Sequence, residues 1–234
     1  MKIETLPNAD LVARAGASFT AAEARAAVAA RGRFIMAVSG GSTPWKMLSA
    51  LADEPMPWAD VHVVQVDERV APDGDPDRNL THLRESLLAH CPLVPDQVHP
   101  MPVEWPDLEA ACERYALTVR EIAGSPAVLD LAHLGLGPDG HTASLVPGDP
   151  VLNISAEVAL TAIYQGRRRM TLTYPLLNRS RRILWLVTGD EKADMLPRLH
   201  DGDRSIPAGR ISRQQSVVLA DEAASARLVR SVRL

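Results

Sequence analysis

The order of apolar runs and helical stretches predicts an α/β domain built on a mostly parallel sheet, covered by helices on both faces. Three observations carry that prediction. Short apolar runs with the length of buried strands recur at Phe34–Val38, Val61–Val66, Leu129–Leu134 and Ile183–Val187. Stretches with helical spacing separate them, at residues 20–31, Leu80–Ala89, Pro106–Ala123 and Glu191–Leu199. Several runs also end on loops rich in glycine or charge, and open α/β sheets bind ligands at that edge.

Taken in order, residues 20–31 are alanine-rich, Thr20 with Glu23 forms a capping-box pattern, and Gly32 supplies the stop. Phe34–Val38 leads into Ser39-Gly-Gly-Ser-Thr-Pro44, where a second helix is expected with Thr43 as N-cap and Pro44 at its first position. Val61–Val66 ends in Asp67-Glu-Arg69 and a polar loop. Leu129–Leu134 opens into Gly135-Leu-Gly-Pro-Asp-Gly-His141. Further strands are expected at Val158–Ile163, Met170–Thr173 and Val217–Leu219, with a last helix over Glu222–Arg230. No repeat, low-complexity tract or linker divides the 234 residues, so one domain spanning 1–234 is expected.

Composition narrows the function. The net charge is −4, with both signs mixed along the chain, unlike the basic patch of a general nucleic-acid binder, and Gly166-Arg-Arg-Arg169 is too short to supply one. No apolar run approaches the roughly 18 residues of a membrane span. The first ten residues carry acidic groups and no apolar core of a signal peptide. Cys91 and Cys112 form no metal-type pair and suit two thiols in a reducing compartment, so a cytoplasmic protein is expected.

The loops carry the chemistry. In Ser39–Pro44, Gly40 and Gly41 allow close backbone approach, the helix start aims free N–H groups at an anion, and Ser42 and Thr43 add hydroxyls. This resembles a phosphate cradle without a Walker lysine; the plainer reading is a tight turn that needs small residues. Arg69 suits a phosphate or a developing oxyanion, and Asp67 either orients it or holds a water or substrate hydroxyl. The plainer reading there is a solvated ion pair. Gly135-x-Gly-x-x-Gly140 matches the dinucleotide fingerprint, but Asp139 sets a carboxylate where a pyrophosphate must approach and Pro138 removes a donor, so no nicotinamide cofactor is expected. His141, beside Asp139, is the sharpest catalytic candidate. No His-Glu-x-x-His spacing and no Gly-x-Ser-x-Gly elbow occur, which leaves His141 acting on water and no metal. Arg167, Arg168, Arg169 and Arg210 are candidates to complete an anion site, against the plainer reading of exposed surface arginines.

Three of these loops together resemble 6-phosphogluconolactonases: Ser39–Pro44, Asp67-Glu-Arg69 with Asp77-Arg-Asn79, and Gly135 through Pro147 with its His-Thr-Ala-Ser-Leu run. Arg169-Met-Thr-Leu-Thr173 is similar to the family's Arg-Ile-Thr-Leu-Thr segment, so the resemblance spans most of the chain in order. Glucosamine-6-phosphate deaminases share the Gly-x-Gly-x-Asp-Gly-His core but usually carry Asp-Glu-Tyr in place of Asp67-Glu-Arg69. Where the family often has Lys-Pro-Pro, this chain has Tyr164-Gln-Gly-Arg-Arg168, so Arg167 or Arg168 stands as a substitute for that lysine.

The resemblance implies hydrolysis of 6-phospho-D-glucono-1,5-lactone in the oxidative pentose phosphate pathway. It implies a Rossmann-like fold shared with the deaminases and ribose-5-phosphate isomerase, and no metal or organic cofactor. The expected catalytic set is His141, Asp67 and Arg69. Gly40, Gly41, Ser42, Thr43, Arg69, Asp139, Arg169 and Arg210 are expected to bind the substrate and its phosphate. The expected partner is a small phosphosugar lactone, with neither nucleic acid nor membrane, and the chain is a monomer or homodimer. The alternatives are an amino-sugar phosphate deaminase or isomerase of the same fold, and a non-enzymatic sugar-phosphate-binding module.

Overall fold

The structure, a computed structural model, describes residues 1–228. Along them run β1 (Lys2–Leu6), α1 (Ala9–Arg31), β2 (Phe34–Val38), α2 (Ser42–Ala52), β3 (Val61–Gln65), β4 (Asp67–Arg69), α3 (Asn79–Ser86), β5 (Val98–His99), α4 (Leu108–Ala123), β6 (Leu131–Gly135), β7 (Val158–Leu160), β8 (Arg169–Leu172), α5 (Tyr174–Leu177), β9 (Arg182–Val187), α6 (Met195–Asp201) and β10 (Ser216–Asp221). Seven strands form one sheet in the order β1-β10-β9-β6-β2-β3-β5, every pair of neighbours parallel.

The apolar runs are continuous because this sheet is covered on both faces. Met36, Val38, Val63, Leu131, Leu184 and Leu186 pack beneath α1, α2 and α3. Ile35, Ala37, Val64, Ala132, Leu134 and Trp185 pack against α4, α5 and α6. The chain leaves β2 toward β3 and β5 on one side, then returns to place β6, β9 and β10 on the other. The reversal falls between β2 and β6, which makes the crevice above their carboxyl ends the position for a ligand. No helix among the described residues is long and apolar enough to cross a membrane.

A second sheet departs from the expectation. The segments expected as further strands, 158–163 and 170–173, supply β7 and β8, which pair antiparallel with β4 in the order β4-β8-β7. Val66 is the joint between the sheets: its N–H donates to Val38 O at 2.9 Å in one, and its carbonyl accepts from Leu172 N at 2.8 Å in the other. Asp67-Glu-Arg69 is therefore a strand, held by pairing rather than free as a loop. Edge strands β1 and β5 went unanticipated, since β1 is largely exposed, β5 spans two residues, and neither bears an apolar run.

Helix boundaries shift for local reasons. The first helix starts at Ala9, where Asn8 accepts from Leu11 N at 3.0 Å, and not at the expected capping box. Thr20 lies inside that helix with its hydroxyl donating to Gly16 O, and Glu23 pairs with Arg182. Gly32 ends it in the left-handed region at φ 72. Gly41 precedes α2, so Ser42 and not Pro44 takes the first helical position and Thr43 is not the cap. The expected helix over Glu191–Leu199 is split into a 3₁₀ turn at Asp190–Lys192 and α6. Of the expected Glu222–Arg230 helix, residues 222–228 form turns anchored by Asp221, whose carboxylate accepts from Ala224 N and Gly189 N, and 229–230 lie outside the described residues.

One buried polar contact ties the sheet to the loop after β2. His133 on β6 is 1% exposed; its Nδ1 accepts from Ser39 N at 3.4 Å, while Ser39 Oγ donates to its carbonyl at 2.8 Å. Burial pushes this imidazole from its ordinary 6.5 down to about 4. The unfolded chain then takes up a proton that the folded chain refuses, so stability falls as pH drops through that window and is unaffected by this group above it. The expected loss by pH 4 is about 3 kcal/mol from this residue alone. Urea unfolding at several pH values, with His133→Asn alongside, checks it: the wild type should lose more stability on acidification, whereas parallel curves would remove His133 as the cause.

Candidate functional site

A cleft of about 270 Å³ opens above the carboxyl ends of the central strands. Its first wall is the turn from β2 into α2. Gly41 has φ 130, a conformation that side-chain-bearing residues rarely adopt, and a Cβ on Gly40 would overlap the Asn79 side-chain amide. The N–H groups of Ser42 and Thr43 head the helix without intrahelical acceptors, and Pro44 has none to offer. Thr43 Oγ1 shares a 2.6 Å hydrogen bond with Thr188 Oγ1 after β9. Lys192 lines the same end of the cleft, with its ammonium 3.4 Å from Glu191. Helix dipole, N–H groups and ammonium together make this end attractive to an anion.

The second wall comes from the antiparallel sheet. Asp67, buried, accepts from Ser144 Oγ at 2.5 Å and from Asn79 Nδ2 at 3.3 Å. Arg69 donates to Asp77 O at 3.1 Å and to Asn79 Oδ1. Asn79 thus stands between the two, and Asp67 does not orient Arg69 directly. Arg169, on the neighbouring strand, is 6% exposed and donates to Gln165 Oε1 at 2.9 Å. Burial lowers its guanidinium from the ordinary value, partly offset by the Asp67 carboxylate.

The third wall is the loop after β6. Gly140 N donates to Gly137 O, and Gly137 N to His141 O at 2.8 Å, which folds the loop into a tight turn. A short bridge, Thr142 to Leu145, follows in place of the helix that a dinucleotide fingerprint requires. Asp139 Oδ1 accepts from the His141 amide at 3.1 Å and lies 2.6 Å from its Nδ1. A proton on Nδ1 satisfies that contact and leaves Nε2 with the free lone pair. Desolvation raises the Asp139 carboxyl, but the hydrogen bond from the His141 amide and the adjacent imidazole outweigh it and hold the group below its ordinary value. Ala143, also in the wall, sits at φ 52, a strained position next to the histidine.

Gly40, Gly41, Ser42, Thr43, Asp67, Arg69, His141 and Arg169, singled out from sequence, all line this one cleft. Two others do not. Asp139 lies behind His141 with its carboxylate committed to the ring, and Arg210 donates to Arg204 O on the outer surface. Arg167 pairs with Asp75 and Asp77, and Arg168 with Glu109, so Arg169 is the arginine of that run in the cleft wall. Sequence reasoning missed three residues. Lys192 was hidden in an expected helix, although the small residues Thr188-Gly189 after an apolar strand mark the same kind of edge. Asn79 was quoted only as part of a motif. Tyr164, between His141 and Arg169, carried no local signal: its ring lies 5.0 Å beneath the Arg169 guanidinium and 5.9 Å from the His141 ring, and its hydroxyl is 3.4 Å from Asp139 Oδ2.

Fold and site together define a class, an α/β protein that sets an oriented histidine against an anion cradle. The model of glucosamine-6-phosphate isomerases/6-phosphogluconolactonase matches residues 7–220. A 6-phosphogluconolactonase of Mycobacterium tuberculosis is 36% identical over 97% of this chain and 98% of its own. The crystal structure of a 6-phosphogluconolactonase from Thermotoga maritima is 26% identical, covers 94% of this chain and 98% of its own, and superposes with a TM-score of 0.83. A monomeric glucosamine-6-phosphate deaminase shares the fold at 20% identity and a TM-score of 0.85, covering 97% of this chain and all of its own. The chain belongs to the glucosamine-6-phosphate isomerase/6-phosphogluconolactonase family.

The packing at Gly137 yields a test of the histidine's orientation. A Cβ there would overlap the Nδ1 of His141 and lie 2.7 Å from Asp139 Oδ1. Both groups are side-chain ends, so Gly137→Ala should leave the fold intact while displacing the pair. Turnover is expected to fall roughly a hundredfold with an unchanged far-UV circular dichroism spectrum. Full activity in the alanine variant would show that the dyad geometry is dispensable.

Proposed function

We propose that the chain hydrolyses 6-phospho-D-glucono-1,5-lactone to 6-phospho-D-gluconate, in the oxidative pentose phosphate pathway. The observation that carries this reading is the oriented His141–Asp139 pair in one wall of a cleft whose far end is an anion cradle. Family membership limits the chemistry to phosphosugars, and Arg69, in place of the tyrosine usual in deaminases, favours the lactone. The two cysteines, free in the structure, suit a reducing compartment such as the cytoplasm.

The substrate phosphate sits on the Ser42 and Thr43 N–H groups, with Gly40 and Gly41 allowing close approach and Lys192 supplying charge. His141 Nε2 takes a proton from water, and the hydroxide adds to the lactone carbonyl carbon. Negative charge grows on the carbonyl oxygen and is met by Arg69 and Arg169, fixed before the reaction by Asn79, the Asp77 carbonyl and Gln165. Asp139 steadies the imidazolium without taking its proton. The ring C–O bond then breaks, its electron pair stays on the ring oxygen, and His141 returns the proton there. Asp67, held by Ser144 and Asn79, accepts from a sugar hydroxyl.

Assay of freshly prepared lactone, followed by acid release, tests this. His141→Ala should lower kcat by roughly a hundred- to ten-thousandfold while KM changes little. Turnover equal to the wild type would sink the assignment of the base. Asp139 is held below the usual carboxylate range, so it stays an ionised acceptor for Nδ1 well into the acid range. Lys192→Ala should raise KM about tenfold, with a smaller effect on kcat, by removing one charge-assisted contact to the phosphate. An unchanged KM would take Lys192 out of the site. The same protein given glucosamine 6-phosphate should release no ammonia.

A further inference from the structure

The Asp139–His141 pair sits on an open turn: the imidazole is 23% exposed and the carboxylate 37%. Asp139 Oδ1 is engaged twice, by the His141 amide and by its ring. The other oxygen, Oδ2, has one partner among the described residues, the Tyr164 hydroxyl at 3.4 Å. Burial and the Asp139 charge both push that phenol above its ordinary value, so it stays protonated and donates. The Tyr164 ring meets the His141 ring edge-on, with planes 64° apart, and the Arg169 guanidinium lies over its face.

Tyr164 is itself fixed by the turn it begins. Its N–H donates to Arg167 O at 3.0 Å and Arg167 N donates to Tyr164 O at 3.3 Å, which closes a two-residue loop. Gln165 and Gly166 between them have φ 50 and 82, the doubly left-handed geometry of a tight hairpin. Arg167 fastens the turn to the 75–77 loop through Asp75 and Asp77, and the Gln165 side chain accepts from Arg169. One turn thus contacts both Arg169 and the Asp139–His141 pair, which stand in different walls of the cleft.

We propose that Tyr164 is a positioning residue: its hydroxyl keeps the Asp139 carboxylate turned to His141, and its ring holds Arg169 at a set distance from the imidazole. The role rests on the lactonase reading for the reaction it serves. Tyr164 is not among the residues that line the cleft, so it acts through these neighbours and not on the substrate. Without the hydroxyl, the half-exposed carboxylate turns to water, and Nδ1 loses the acceptor that fixes its proton. Nε2 then carries the proton part of the time and is no base while it does. The anion cradle at the start of α2 keeps its N–H groups, so the loss falls on turnover rather than on binding.

Tyr164→Phe, which keeps the ring on its half-buried outer turn, tests this on the full chain. Proton–nitrogen NMR correlations of the neutral imidazole read the tautomer of His141, its signals identified by their loss in His141→Ala. The wild type should show the proton fixed on Nδ1, and in the variant the two nitrogen shifts should move toward each other. With the lactone, kcat of this variant should fall about fivefold at unchanged KM. Tyr164→Leu, which also removes the ring, should lose roughly fiftyfold. A mixed tautomer already in the wild type would overturn the role. So would wild-type kcat in Tyr164→Phe, a fall in kcat with the nitrogen shifts unmoved, or a rise in KM that accounts for the whole loss. A tautomer change in a protein that fails to hydrolyse the lactone would overturn the functional reading and leave the hold of Tyr164 on the pair standing; hydrolysis with neither effect would do the reverse.

Discussion

The arrangement depends on one buried carboxylate, that of Glu68. It is fully buried on β4 and accepts from four N–H donors at 2.8 Å each: the side-chain amide of Gln65 and the main-chain groups of Arg69, Asn79 and Leu80. The buried Arg78 guanidinium adds an ion pair at 3.2 Å. Burying a charge is costly, and it is tolerated where charge-assisted bonds satisfy its lone pairs. Two of these donors are the first N–H groups of α3, so Glu68 caps that helix from another element and meets the positive end of its dipole. The residues it clamps, Arg69 and Asn79, are those that line the cleft. A centre with so many partners holds the active-site strand in one position, which is what preorganised donors require.

The two sheets share the work. The parallel sheet creates the crevice at its topological switch point and ends β2, β6 and β9 on loops that present an anion cradle, a histidine and a lysine. The small antiparallel sheet supplies what loops alone would hold poorly. Its strands put Arg69 opposite Arg169 in register and lock both to the parallel sheet through Val66. Backbone conformations that most residues avoid occur in the loops around the cleft, at Gly41, Gly140 and Ala143, and a Cβ on Gly140 would overlap Ile206. Tyr164 then bridges the walls, with Arg169 above its ring and Asp139 beside its hydroxyl.

Much of this was legible along the chain, because strands buried on both faces must be apolar throughout and helices must repeat their apolar positions. The central strands, the helix over 108–123 and the single ligand-facing edge follow from those two periods. So does the convergence of the Ser39–Pro44 loop, the Asp67–Arg69 segment and the Gly135–His141 loop, since parallel strands end on the same side. The errors have equally physical origins. Thr20 and Glu23 mimic a helix start, but Asn8 caps the helix earlier and the alanine-rich face continues through both residues. Segments 158–163 and 170–173 carry strand character that fits either sheet, and local pattern does not choose a partner.

Sequence by itself therefore determined the α/β class, the sheet edge at which the cleft opens, and the histidine at that edge, all set by local periodicity and by glycines at particular turns. Tertiary structure decided the rest. It joined β4 to β8, turned Arg169 inward while Arg167 and Arg168 found acidic partners outside, and sent Asp139 behind His141. It also brought Lys192 and Asn79 to the cleft, set Tyr164 between Arg169 and Asp139, and gave Glu68 its donors. These outcomes rest on contacts between residues far apart in the chain, whose strength comes from burial and exact placement, and neither is written in any local pattern of residues.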